Sequence, residues 1–310
     1  MKENLTEVTD FFLLGFQLHG YNIYLFSIIL IVYSMTQTGN FLIIILVSFS
    51  QRLQSPMYFF LKHLSMSEVL FTSNIVPIML HIILHKGITM SFVSCITQFY
   101  LYIASGSVEC FILTIMSYDR YLAICNPLNY AYIMDIFLCR KLVLSGWILC
   151  FTLVLMTVIL ICQLTFCGSN VIDHFFCDFA PLVEISCSDT TIVKIEVFVL
   201  SIPVVTSTFA FIIVTYLCIF IAIHRISSNT GRKKAFSTCS SHLASVCLYF
   251  GPLIAIYMVP YRKNLINVNK ILSLLYTVVT PFFNPLIYSL RNKEIRDVLE
   301  KLFNIRKIFS

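Results

Sequence analysis

Apolar residues in this chain gather into seven long runs rather than alternating, and short polar segments separate the runs. Crossing about 30 Å of hydrocarbon takes roughly 20 residues of helix. The runs are Tyr24–Phe49, Pro56–Leu84, Phe92–Cys125, Leu142–Leu164, Val197–Ile223, Ala235–Val259 and Ile271–Leu290. The pattern predicts an all-α membrane protein, a seven-transmembrane helix bundle over 24–290, with outer and inner ends at 1–23 and 291–310. An odd number of crossings puts the two ends on opposite sides of the membrane.

Charge sets the orientation. The connections on one side, with the C-terminal tail, hold fifteen Lys and Arg residues, among them Arg52, Arg120, Arg140, Arg232, Lys233, Lys234 and Arg291; the other side holds six. This places the N-terminus outside and the C-terminus in the cytoplasm. Asn4-Leu5-Thr6 is then an N-glycosylation sequon on the outer end. No secretory signal peptide is visible at the N-terminus, so the first span is expected to serve as an uncleaved insertion signal. The connection between helices four and five, about Thr165 to Glu196, carries Asp173, Asp178, Glu184, Asp189 and Glu196 against Lys194 alone, as expected of a folded outer lid. After Leu290, residues Ile295, Val298, Leu299, Leu302 and Phe303 recur at helical spacing between charges. They predict a short amphipathic eighth helix at the inner interface.

Composition agrees: 58% of the 310 residues are apolar and 12% charged, and mean hydropathy is +0.88. Soluble domains carry about twice that charge, and the low charge excludes disordered and nucleic-acid-binding readings despite a net charge of +6. No H-E-x-x-H spacing or nucleophile–base pair lies within a span, so an enzyme is not expected. A transporter is disfavoured by the odd helix count and the lack of internal repeats.

Four of the twelve cysteines, Cys95, Cys167, Cys177 and Cys187, fall on the oxidising outer face, where three pairings are open. Two carboxylates, Glu68 and Glu109, lie inside spans two and three at similar depth. An intramembrane acid is costly and therefore a functional candidate. The pair is read as sharing one sodium ion or proton, the alternative being two neutral acids bonded to helix backbones. Asp119-Arg120-Tyr121 ends helix three with an acid beside a guanidinium. Asn284-Pro285 places a hinge near the inner end of helix seven, with Tyr288 one turn on.

At these residues the chain resembles the vertebrate odorant receptors, a branch of the rhodopsin-like G-protein-coupled receptors. The resemblance runs from Gly39-Asn40 through Leu53–Leu61, Met116–Leu128 (MSYDRYLAICNPL) and Lys234–Leu243 (KAFSTCSSHL) to Pro285–Asn292 (PLIYSLRN). It implies a receptor in the plasma membrane that binds a small odorant and activates the heterotrimeric stimulatory olfactory G protein, raising cyclic AMP. It also implies disulfides Cys95–Cys177 and Cys167–Cys187, a cation site at Glu68 and Glu109, and rearrangement around Arg120, Tyr216 and Tyr288 on activation. Lys233, Lys234 and His242 would fall in the inner contact region. Two positions depart from the family. Gln54 replaces a usual His, which is expected to be tolerated. Phe250 stands where a Tyr is common, which leaves only a steric role there.

The odorant pocket is expected between the outer halves of helices three, five, six and seven. Phe99, Tyr102, Ile103 and Gly106 share one stripe of helix three. Leu200, Ser201 and Val204 would face them from helix five, Leu253, Ile254 and Tyr257 from helix six, and Leu274 and Thr277 from helix seven. No charged residue belongs to the set, so the expected ligand is neutral and mostly apolar, oriented by Tyr102, Tyr257 or Thr277.

Overall fold

The computed structural model describes residues 9–16, 22–167, 169–225, 228–258, 265–291 and 294–300, without the side chains at 229–230, 233–234, 237–238, 257–258 and 290–291. Asn4, the side chains of Lys233, Lys234 and Tyr257, and Leu302 and Phe303 therefore lie outside the described residues.

Seven helices are long and apolar enough to cross a membrane. Helix one is Asn22–Phe49, helix two Pro56–His85, helix three Phe92–Cys125 and helix four Ile136–Cys162. Helix five is Thr191–His224 and helix six Asn229–Met258. Helix seven runs in three pieces, α-helical over Ile266–Leu274, π-helical over Leu275–Val279 and α-helical again over Thr280–Arg291. Large apolar side chains such as Phe137, Phe198 and Phe220 stand exposed around the bundle, a surface that only lipid can cover. The chain is a multi-pass membrane protein.

Helices four and five start about six residues before their apolar runs, where acidic side chains bind the first backbone amides. The Asp135 carboxylate accepts from Leu138 N at 2.7 Å, and Asp189 accepts from Thr191 N at 2.9 Å. Arg140 and Lys141 thus ride on the first turns of helix four rather than preceding it. At the start of helix two, Pro56 occupies the first turn, where its missing N–H costs nothing.

Close approaches tie the helices together. A Cβ on Gly39 would come 2.9 Å from Pro285, so helix one packs directly on the hinge of helix seven. Gly146 admits the Phe111 ring between helices four and three in the same way. Between spans the polar contacts are few and specific, as apolar surroundings require. Gln37 donates to Thr72 and Ser73, Tyr100 to the Phe151 carbonyl, and Thr280 to the Leu248 carbonyl. Gln98 joins three elements: it exchanges hydrogen bonds with Asn74 of helix two and accepts from Cys177 N of the lid at 2.9 Å.

The outer end carries a small sheet that the hydropathy pattern does not predict. Strand β1 (Asp10–Leu13) pairs antiparallel with β2 (Ile88–Ser91) and parallel with β3 (Val171–Ile172) of the lid. Phe11 and Leu13 are fully buried in a cluster with Phe99, Phe166 and Leu182. The lid adds a short helix, Phe179–Glu184, capped by Asp178. Two disulfides hold it, Cys95–Cys177 to helix three and Cys167–Cys187 within the lid. These are the pairings the family resemblance implies.

At the inner end, residues 294–300 are helical, with Ile295 buried and Val298 and Leu299 packed on the bundle core. Tyr58 donates to Glu294 at 2.8 Å, so the apolar face of this short helix meets helix two. Gln54 caps helix one by donating to the carbonyls of Ser50 and Val47, a role that any donor of similar reach could take.

Lys270, grouped with the outer connections by hydropathy, is instead buried at the outer end of helix seven. Its ammonium pairs with Asp173 of the lid and donates to the Gly15 carbonyl at 2.7 Å. The two partners are not equivalent, since Asp173 keeps 40% of its side chain exposed and Lys270 only 4%. Asp173→Ala strands a buried ammonium and is expected to cost about 1–3 kcal/mol; Lys270→Met leaves a carboxylate that water can reach and should cost about 1 kcal/mol or less. Thermal unfolding of the detergent-solubilised variants compares the two, and equal losses would contradict this asymmetry.

Candidate functional site

Beneath the lid, aromatic rings from five elements meet. Tyr102 of helix three packs edge-on to Phe176 of the lid, with ring centroids 4.9 Å apart, and against Phe71 of helix two at 5.5 Å. Tyr276, on the π-helical turn of helix seven, stands edge-on to Phe71 at 5.3 Å and to Tyr249 of helix six at 5.6 Å. A π-turn adds a residue per turn and turns side chains away from a regular helical register. No hydropathy signal reveals it.

Gly106 lies at the floor of this group. A Cβ there would come 2.7 Å from Tyr276 Oη, so glycine is what lets that hydroxyl approach helix three. Tyr249 Oη donates to the Gly106 carbonyl at 2.6 Å, and Tyr276 Oη donates to Tyr249 Oη at 3.4 Å. The hydroxyl at this level belongs to Tyr249, one residue before Phe250. Phe250 itself is buried against Phe209 of helix five, with centroids 5.1 Å apart.

The structure sorts the residues expected to line a pocket. Tyr102, Ile103, Leu253, Ile254 and Leu274 belong to or pack on the main core. Phe99 is buried in the separate cluster beneath the sheet, and Ile103 touches both clusters. Leu200 and Ser201 are half-buried. Val204 does not belong inside: it is exposed, while Val205 and Phe209 make the inward contacts of helix five. One residue separates the two readings, because the apolar run of helix five offers no polar face to set its phase. Thr277 is buried and its hydroxyl donates to the Ser273 carbonyl within its own helix.

His174, which the sequence reading passes over, is buried between Phe175 and Phe176, with centroids 4.7 and 4.5 Å away. Burial, reinforced by the nearby Lys270 ammonium, keeps its imidazole neutral and pushes its pKa down to about 3 from 6.5.

Deeper in the bundle, Glu68 accepts a hydrogen bond from Asn284 Nδ2. Helices two and three are pinned at this depth by Ser67, whose hydroxyl donates to the Ser105 carbonyl at 2.9 Å. Glu109 is near enough to Glu68 for their charges to interact. Around them, Glu109 Oε1 and Asn284 Oδ1 are buried without a hydrogen-bond partner, and the Asn40 side chain reaches Glu68. Carboxylate and amide oxygens are the ligand types that hard cations take.

At the inner end, Asp119 is fully buried and holds Arg120 through a forked contact to one carboxylate oxygen. Its other oxygen accepts from Tyr130 Oη at 2.8 Å, on the short helix Pro127–Ile133. Tyr121, Tyr216, Ile219 and Ile223 close around Cys239 beside this latch. Tyr216 Oη lies 2.6 Å from His242 Nδ1, joining helices five and six. Pro285 and Tyr288 are buried on helix seven. Tyr130 is the member of this group that the sequence reading missed; its place three residues after Pro127 was the available signal.

The lid makes a pH prediction. Released from the lid, His174 binds a proton near pH 6.5; in place, it does so only near 3. Its contribution to stability is therefore intact above about 6.5 and lost as pH falls toward 3, by at most about 1.4 kcal/mol per unit. Protection of the lid amides, with the intrinsic pH dependence of exchange divided out, should fall between pH 7.5 and 5 in the wild type and not in His174→Gln; an equal fall in both would remove the histidine from the account.

Comparison with known proteins follows the same lines as this geometry. A sequence profile described as olfactory receptor matches residues 27–306. Human olfactory receptor 11L1 is 46% identical over 97% of this chain and 94% of its own length. Human olfactory receptor 6J1 is 45% identical over 98% and 88%, and mouse olfactory receptor 5G9 41% identical over 99% and 98%.

Proposed function

Since the chain belongs to the olfactory receptor family, we propose that it binds a small, neutral, mostly apolar odorant beneath the lid and activates the stimulatory olfactory G protein, raising cyclic AMP. The observation that carries the proposal is the run of contacts from Tyr102 through Tyr276 and Tyr249 to the Gly106 carbonyl of helix three, the helix whose inner end holds the Asp119–Arg120 latch. A ligand seated against Tyr102 and Leu253 biases the Tyr249–Tyr276 pair, and with it helices six and seven. Helix six carries His242 and helix seven the Asn284-Pro285 hinge, so a shift there reaches the inner face. Opening that face frees Arg120 to meet a helix of the G protein in place of Asp119.

In this reading the protein sits in the plasma membrane with its N-terminus outside, glycosylated at Asn4, and its tail in the cytoplasm. Lys233 and Lys234 contribute to the inner contact surface. Glu68, Glu109, Asn40 and Asn284 would hold a sodium ion. Such an ion neutralises the carboxylates and braces helices two, three and seven in the resting arrangement. Either acid, if protonated, would make the same contacts with less reach.

Two substitutions test the pathway. Arg120→Ala is expected to abolish the cyclic AMP response to a panel of neutral volatile compounds while surface delivery persists; an undiminished response would remove the arginine from signalling. Tyr249→Phe deletes a bond between helices six and three that is worth about 0.5–1.5 kcal/mol. That lowers the cost of moving helix six, so ligand-independent cyclic AMP should rise roughly two- to tenfold. An unchanged basal level would show that the Tyr249 bond does not restrain the receptor.

A further inference from the structure

The outer end of helix two carries a feature that the receptor reading does not use. His81 and His85 are one turn apart and both exposed, on the face that also shows Leu84. Their rings lie nearly parallel, with centroids 4.1 Å apart and planes 18° apart. Nδ1 of His85 sits 3.1 Å from the His81 carbonyl, which can only accept, so in the neutral ring Nδ1 carries the proton and Nε2 keeps its lone pair.

We infer that His81 and His85 form a two-imidazole site for a divalent transition metal, Cu2+ or Zn2+, at the outer rim of helix two. Two nitrogens on one ion stand about 3.3 Å apart at a tetrahedral Zn2+ and about 2.8 Å apart as neighbours in a square-planar Cu2+ site, so the stacked rings have to turn toward each other to share an ion. Imidazole suits these ions, and Cu2+ binds most strongly in the divalent series. The helix favours the cation further, because the negative end of its dipole lies at His85. Lys86, the next residue, opposes it, but its flexible side chain can extend into water. No third His, Cys, Asp or Glu joins the pair among the described residues, so the remaining coordination positions stay open to water.

The site is accessible. Helix two has 30 residues, about 45 Å at 1.5 Å per residue, against about 30 Å of hydrocarbon. Its last turns therefore project into the headgroup region or beyond. Position gives the metal a consequence. Gly15 of the N-terminal segment packs directly on Ile82, and the Lys86-Gly87 turn leads into β2, to which β1 is paired. An ion bridging His81 and His85 would fix the turn from which the outer sheet is hung.

The full chain, purified in phosphatidylcholine nanodiscs, is titrated with Cu2+ and followed by electron paramagnetic resonance. The wild type is expected to give a two-nitrogen Cu2+ spectrum. Affinity should fall roughly tenfold or more in His81→Asn and in His85→Asn, because the second imidazole otherwise binds intramolecularly; His174→Gln should leave both unchanged. An undiminished Cu2+ signal in the double variant, or a one-nitrogen spectrum in the wild type, overturns the site. A second measurement needs no variant: Zn2+ should shield His81 and His85 from acylation by diethyl pyrocarbonate, read by peptide mass, and unshielded imidazoles would contradict the proposal.

Discussion

Inside a membrane a polar group has no water to turn to, and this structure is organised around that constraint. Backbone groups are satisfied within helices and several buried hydroxyls return to their own helix, so the bonds that cross between spans come from a few polar side chains. Gln98 meets Asn74 and the lid amide of Cys177, Glu68 meets Asn284, Ser67 meets the Ser105 carbonyl, and Tyr249 meets the Gly106 carbonyl. These contacts fix which helices are neighbours and at what height, while the apolar surfaces between them are interchangeable with lipid.

The same constraint divides the molecule into a closed outer end and a latched inner end. Outside, a strand from the N-terminus, two disulfides and the buried Lys270 ammonium hold the lid over the aromatic group around Tyr102. Inside, Asp119 occupies Arg120 and Tyr130 together, and Tyr216 reaches His242. Between them lie the buried carboxylates, where Glu109 and Asn284 each retain an unpaired oxygen. An unpaired buried polar group is costly in a low-dielectric interior.

Much of this was legible in the sequence. Span number, the acidic lid, the intramembrane carboxylates and the Asp119-Arg120 latch all follow from hydropathy and charge, and family motifs carried the disulfide pairing. What escaped has identifiable causes. The outer sheet uses four-residue strands that no period of two could announce. Lys270 reads as a loop cation because its partners, Asp173 and Gly15, lie far away in the chain. Val204 was placed inside because helix five is apolar on every side. Each miss concerns a contact between distant segments, or the rotational phase of a helix without a polar face.

The central claim is that occupancy beneath the lid changes the surface offered at the Arg120 end. Nucleotide exchange tests it most directly, with purified receptor reconstituted alone with the stimulatory olfactory heterotrimer. The account expects a volatile compound that binds the receptor to accelerate exchange, and expects substitution of Tyr102 to alter which compounds do so. Saturable binding of such a compound with exchange remaining at its unliganded rate would contradict it.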